Sequence, residues 1–193
     1  MAPTAPLGHR ARGAHLRRGP RPGRRPRADR RHQRGPPVSR PGEPPLVTSP
    51  VIGVARTPYL TSEQAPRQGF LASQTRARFV IYDDYLPALD GVERFSHLIV
   101  LFAFDRFSPE ERSLRGRPPG SGLEVGAFAC CTPRRPSGLG LDVCHLLRRE
   151  GNTLHVAGVD MLDGSPLISI RPYIARVHSF PGATGGYRGL NAR

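Results

Sequence analysis

From residue 46 onward the chain sets short runs of Val, Ile, Leu and Phe between clusters of glycine and proline, which is how strands and turns alternate in a sequence. Runs over 51–56, 77–82, 124–130 and 167–170 predict strands. The run 97–104 is apolar enough to be buried on both faces. Residues 139–148 and 153–159 flank a Glu150-Gly151-Asn152 tip, predicting a hairpin, because Gly and Asn tolerate positive φ. A short helix is predicted between Asp83 and Val92, with Asp84 as its cap and Gly91 as its stop. Residues 108–122, crowded with charge, Pro and Gly, predict a long polar loop. Six or seven short strands with little helix predict a mainly β domain, a small closed or nearly closed β-barrel, since closure removes exposed sheet edges. No GxGxxG follows a strand, which disfavours a Rossmann-type nucleotide site.

The pattern is missing before residue 46. The first 45 residues hold 12 arginines, 10 prolines and 6 glycines against two acids, Asp29 and Glu43. Such a segment cannot offset its ordering entropy by burial, so a disordered basic tail is expected over 1–45, a folded domain over 46–176 and a flexible tail over 177–193. The tail carries a net +10, whereas residues 46–193 hold 17 arginines and 13 acids, a net +4. The pI near 11.3 therefore describes the tail, and the expected domain is only mildly basic. All 29 basic residues are arginine. Either the tail is an arm that grips RNA phosphates or coding bias chose its arginines. Nothing near Met1 forms the apolar core of a secretory signal, and no apolar run reaches about 18 residues, so no membrane span is expected. Cys130, Cys131 and Cys144 are odd in number and lack CxxC spacing, which argues against a disulfide framework or a metal site and for a reducing cytoplasm.

Four segments carry a resemblance. The first is Ile52-Gly53-Val54-Ala55-Arg56-Thr57-Pro58-Tyr59 followed by Pro66-Arg67-Gln68, and the second is Leu89-Asp90-Gly91-Val92-Glu93-Arg94-Phe95-Ser96-His97-Leu98. The third is Val125-Gly126-Ala127-Phe128-Ala129 leading to Thr132-Pro133-Arg134-Arg135-Pro136-Ser137-Gly138-Leu139-Gly140-Leu141. The fourth is Gly158-Val159-Asp160-Met161-Leu162-Asp163-Gly164-Ser165-Pro166, ending in Ile170-Arg171-Pro172-Tyr173. In this order and spacing they resemble the TsaA-like family of S-adenosylmethionine-dependent tRNA methyltransferases, which act on threonylcarbamoyladenosine beside the anticodon.

The resemblance implies a small β-barrel, S-adenosylmethionine as cofactor, tRNA as substrate and a homodimer with the cofactor close to the subunit interface. It implies cofactor contacts from Pro66, Arg67, Gln68, Phe104, Asp105, Arg106, Leu141, Asp160, Leu162, Asp163, Gly164 and Ser165. Each has a physical use. Arg67 suits the cofactor carboxylate bidentately, Asp160 or Asp163 accepts from amine or ribose, and Leu141 covers the adenine. Asp163-Gly164 also reads as a tight turn. Methyl transfer to an adenosine nitrogen needs positioning and a proton acceptor, for which Asp160 and Asp163 are the candidates; His97, alone at the start of an apolar strand, reads as a structural residue.

The chain departs from the family at four places. Cys131 stands where a cofactor-contacting arginine is usual, Ser137-Gly138 replaces Asn-Pro, Asp105 replaces a histidine and Ser169 an aspartate. Arg106 or Arg134 is the nearby cation able to replace the lost one. A barrel that binds the cofactor without catalysis, or a methyltransferase with another substrate, is the alternative. A plain RNA-binding barrel would need exposed aromatics, and Tyr and Phe here sit mostly in apolar runs.

Overall fold

The computed structural model describes residues 47–185. The expected tail over 1–45 lies outside the described residues, as do residues 186–193 at the other end.

Six strands close a barrel: β1 (Gly53–Arg56), β2 (Arg76–Ile81), β3 (His97–Ala103), β6 (Leu139–Glu150), β7 (Thr153–Ala157) and β8 (Pro166–Pro172), in the order β1-β2-β7-β6-β3-β8. Every neighbouring pair is antiparallel, and β8 returns to β1 through Gly53↔Leu167, so no edge remains. Alternation decides which side chains fill the interior. Ala77, Phe79 and Ile81 point inward from β2, Leu98, Val100 and Phe102 from β3, Cys144 and Leu146 from β6, and Leu154 and Val156 from β7. Gly140 belongs to the same inward row. A Cβ there would lie 2.3 Å from the Phe102 ring, so the glycine makes room for the largest side chain of β3. The hairpin tip is as predicted: Glu150 pairs with Thr153, and Gly151 takes φ 57°.

The structure corrects three local expectations. The strand expected over 124–130 is not a barrel strand. Only Val125–Gly126 (β5) is extended, it pairs with Arg115–Gly116 (β4), and a 3-10 turn at Ala127–Ala129 follows. The loop predicted over 108–122 thus holds half of a two-stranded sheet, clamped by Arg115 and Arg117 on Glu124 at 3.2 Å each. The helix expected after residue 83 is a 3-10 segment, Asp83–Leu89, with Tyr82 at its cap position. Asp84 lies inside its first turn and caps nothing, because the 3-10 segment begins one residue earlier than the expected cap; Gly91 does end it, just before a second turn at Val92–Arg94. A final helical turn, α1 (Ala175–His178), spans the expected end of the domain. Among the described residues no helix is long and apolar enough to cross a membrane.

Candidate functional site

Two loops converge beside the end of β1. The segment after β7 turns back at Leu162–Ser165, where the Ser165 N–H donates to the Leu162 carbonyl at 3.1 Å and Gly164 takes φ 81°, the geometry expected of Asp163-Gly164 as a tight turn. Backbone bonds fasten this turn to the strand: Gly164 N–H to the Ala55 carbonyl at 2.8 Å, Asp163 N–H to the Tyr59 carbonyl at 2.7 Å and Ala55 N–H to the Ser165 carbonyl at 3.0 Å. The Asp163 carboxylate accepts from the Thr57 N–H at 3.1 Å and faces Arg56 at 3.4 Å. Thr57 Oγ1 donates to the Met161 carbonyl at 3.0 Å. Arg106, just beyond β3, donates through Nη2 to the Asp163 carbonyl at 2.6 Å, which brings its guanidinium to the rim of the same turn.

Three residues before Asp163 the loop sets a half-buried Asp160 beside a buried carboxylate of β6. Asp142 projects inward from β6 between Gly140 and Cys144 and is only 7% exposed. Its Oδ2 accepts the Asp160 N–H at 3.1 Å. Burial pushes the Asp142 carboxyl above its usual range, with backbone N–H groups of Asp160 and Val143 working against it. Asp160 is pushed up to about 7, first by burial and then by the Asp142 charge, and the Gly69 and Asp160 backbone N–H groups oppose the rise. The Pro66-Arg67-Gln68 segment reaches this pair through Gly69, which opens a 3-10 turn at Gly69–Ala72. A Cβ on Gly69 would lie 2.3 Å from the Gly158 carbonyl and 2.8 Å from Asp142 Oδ1, so only glycine lets the loop approach so closely.

The structure therefore brings Arg106 to the Leu162–Ser165 turn and brings Gly69, which follows Pro66, Arg67 and Gln68, to Asp160. Pro66, Gln68 and Leu162 are half-buried and Ser165 is buried, while Arg67 is exposed with no ion pair among the described residues. Phe104 packs edge-on against Phe102, ring centres 5.1 Å apart, and Asp105 is exposed beside it. Leu141 faces outward from β6 and is 63% exposed. Of the two candidate replacement cations, Arg106 reaches the turn, whereas Arg134 lies over the Phe107 ring at 5.2 Å. Cys131 and Ser169 are not drawn into this cluster: Cys131 is an exposed free thiol, and Ser169 lines an apolar recess of about 330 Å³ between β8 and the 3-10 segments near residue 90, which shares none of the predicted cofactor residues. His97 is exposed and stacks on His145 at 5.0 Å.

Sequence reasoning missed Asp142, Thr57 and Gly69. The alternation of β6 places Asp142 on the inward row with Gly140, Cys144 and Leu146, so a charged residue at an inward strand position was the available signal. Although Tyr and Phe sit mostly in apolar runs, Phe70, Phe128 and Phe180 are largely exposed, because each sits on a turn or tail and not within a strand.

The arrangement offers carboxylates at Asp160 and Asp163 and guanidinium groups at Arg67 and Arg106, groups suited to an amino acid head and a ribose. The chain is similar to known proteins. A probable S-adenosyl-L-methionine-binding protein of Archaeoglobus fulgidus is 37% identical over 142 residues, covering 74% of this chain and 38% of that protein. A tRNA (adenine(37)-N6)-methyltransferase of Rattus norvegicus is 34% identical over 135 residues, 67% of this chain and 31% of its own. The crystal structure of TrmO from Pseudomonas aeruginosa superposes with a TM-score of 0.62 at 29% identity, covering 73% of this chain and 62% of that one. The chain thus spans well under half the length of both relatives. With the four motif segments in place on a closed barrel and the tRNA-methyltransferase O N-terminal domain family model matching residues 54–179, the chain belongs to that family, as the TsaA-like motifs implied.

Proposed function

We propose that the chain binds S-adenosylmethionine along the 160–165 segment and methylates a tRNA adenosine, the acceptor being the amino nitrogen of threonylcarbamoyladenosine in the anticodon loop. The observation that carries this reading is the convergence of the two motif loops, Pro66–Gly69 and Asp160–Ser165, on one rim beside Arg106. The bound cofactor would supply an electrophilic methyl group on a sulfonium. Arg67, exposed and without an ion pair among the described residues, is suited to its carboxylate, with Arg106 at the turn. Asp163 holds the turn shape through Thr57 and Arg56. Asp160 is the better proton acceptor of the two aspartates, since a carboxyl pushed up to about 7 matches a proton transfer at neutral pH.

A homodimer completes the proposal. Leu139, Leu141 and Val143 form an exposed apolar row on β6, with Phe70 and Leu71 exposed on the 3-10 turn that packs beside it. Monomers rarely leave such rows open. A partner over Leu141 would lie next to the Pro66–Gly69 loop. The three free thiols fit a reducing cytoplasm as the setting.

The departures at Cys131 and Asp105 favour one second reading, a cofactor-binding barrel without transferase activity, because both are exposed positions that supply no cation. Calorimetric titration of the full chain with S-adenosylmethionine tests the cofactor, and labelled-methyl transfer to unfractionated tRNA tests the chemistry. Saturable binding with transfer is expected. Binding without transfer selects the second reading, and absence of binding overturns both.

A further inference from the structure

The strand register builds a feature that the cofactor site does not use. Arg56 pairs across the sheet with Arg78, Arg78 with His155, and His155 with Arg148, so β1, β2, β7 and β6 present one continuous outward rung. Arg76 stands two residues from Arg78 on the same face. Three strand spacings make the rung roughly 14 Å long. Together these side chains line a groove of about 590 Å³ whose other walls are Thr57, Pro58, Ala77, Leu147 and Asp163. Like charges directly opposite on neighbouring strands are destabilising, and Arg56 and Arg78 stand so, a repulsion that an anion from outside would relieve. The protein supplies acids to the ends of the row, Asp163 facing Arg56 at 3.4 Å and Glu150 taking Arg148 at 2.9 Å and His155 at 2.8 Å, but neither Arg76 nor Arg78 has an acidic partner among the described residues. The groove also ends at Asp163 and Thr57, the residues that anchor the candidate cofactor turn.

We propose that this rung is a phosphate track that holds the backbone of the RNA substrate on the barrel wall and leads it to the Asp163 turn. Arginine forks suit phosphate oxygens, and a row across four rigid strands holds several at fixed separation. The inference rests on the RNA reading above. It assigns the contact to the folded domain, whose modest net charge hides an uneven distribution.

The test is the salt dependence of tRNA binding by the full chain, followed by anisotropy of labelled tRNA, for the wild type, for Arg76→Gln/Arg78→Gln and for Arg115→Gln/Arg117→Gln. The last pair removes equal charge from the two-stranded sheet. Each lost phosphate contact lowers the slope of log affinity against log salt by about one. The Arg76/Arg78 variant is expected to bind at least about tenfold more weakly, with a slope lower by one to two. The Arg115/Arg117 variant should keep the wild-type slope. Arg148→Gln alone should lower the slope by about one, a second reading of the track should the double variant fold poorly. An unchanged slope in the Arg76/Arg78 variant, an equal loss in both double variants, or no tRNA binding by the wild type overturns the proposal. Cofactor titration of the same variants separates the readings: retained cofactor binding with an unaltered RNA slope sinks the track alone, and loss of cofactor binding by the wild type sinks the reading beneath it.

Discussion

Asp142 and Asp160 make the fold's response to pH a direct reading of the site. Asp160 is pushed up to about 7 in the folded protein from an ordinary 3.8. Its folded pKa lies above the unfolded one, so the folded state holds the proton more tightly, and stability is lost as pH rises through the window from about 4 to about 7. At 1.36 kcal/mol per unit, a rise of roughly three units is at most about 4 kcal/mol, and less after solvent screening of this partly exposed group. Burial is the larger cause of the rise and the Asp142 charge the second. Asp142→Asn removes that charge and keeps an oxygen to accept the Asp160 N–H. The variant should therefore be more stable than the wild type at pH 8 by about 1 to 2 kcal/mol and nearly equal to it at pH 5, where the pair already carries a proton. Urea denaturation at the two pH values measures this, and carbon-detected titration of the Asp160 carboxyl should show its pKa falling toward the ordinary range. If Asp142→Asn is instead less stable than the wild type at both pH values, Asp142 is needed as an ion and the repulsion argument fails.

Three further outcomes are expected. Gly140→Ala places a Cβ 2.3 Å from the Phe102 ring and should destabilise the barrel by about 1 to 3 kcal/mol in urea melts, with no change in cofactor affinity corrected for folding. A thiol reagent should label Cys131, which is exposed, within the mixing time and leave Cys144 unlabelled until denaturant is added, because burial also pushes the Cys144 thiol up; equal rates would contradict the placement of both. Leu141→Asp, on the open row of β6, should yield monomers by light scattering if that row is the dimer face, and a wild type that is itself monomeric removes the proposed dimer.

The barrel was legible because its strands are short, apolar and separated by turn residues, and a closed sheet is one way to bury them all. Where the sequence misled, competition between local and tertiary forces explains it. Residues 124–130 carry the composition of a strand, but the barrel already closes through β3–β8 and β8–β1, which leaves no edge to receive another. The segment pairs with the loop beside it instead. The 3-10 segment at Asp83–Leu89 contains Pro87, whose missing N–H cannot serve an α-helical ladder, and that alone weighed against a regular helix after an Asp cap.

The motif segments that make the candidate site were legible as glycines and aspartates at fixed spacing, but the electrostatics between them were not. Asp142 and Asp160 are 18 residues apart, and only the β6–β7 return places one over the backbone of the other. The arginine rung shows the same limit more sharply. Arg56, Arg78 and Arg148 are scattered over more than 90 positions, and a net charge summed along the chain gives each the same weight as an arginine paired on the opposite face. Antiparallel register converts them into neighbours: Arg56 opposite Arg78, then His155, then Arg148. Charge density on one wall, and not the sum over the domain, sets the field that a phosphate chain meets. A mildly basic domain is therefore compatible with a more basic groove: Asp163 is the one acid among its lining residues, while Asp83, Asp84, Asp90 and Glu93 fall in and between the 3-10 segments at 83–94 and do not line it.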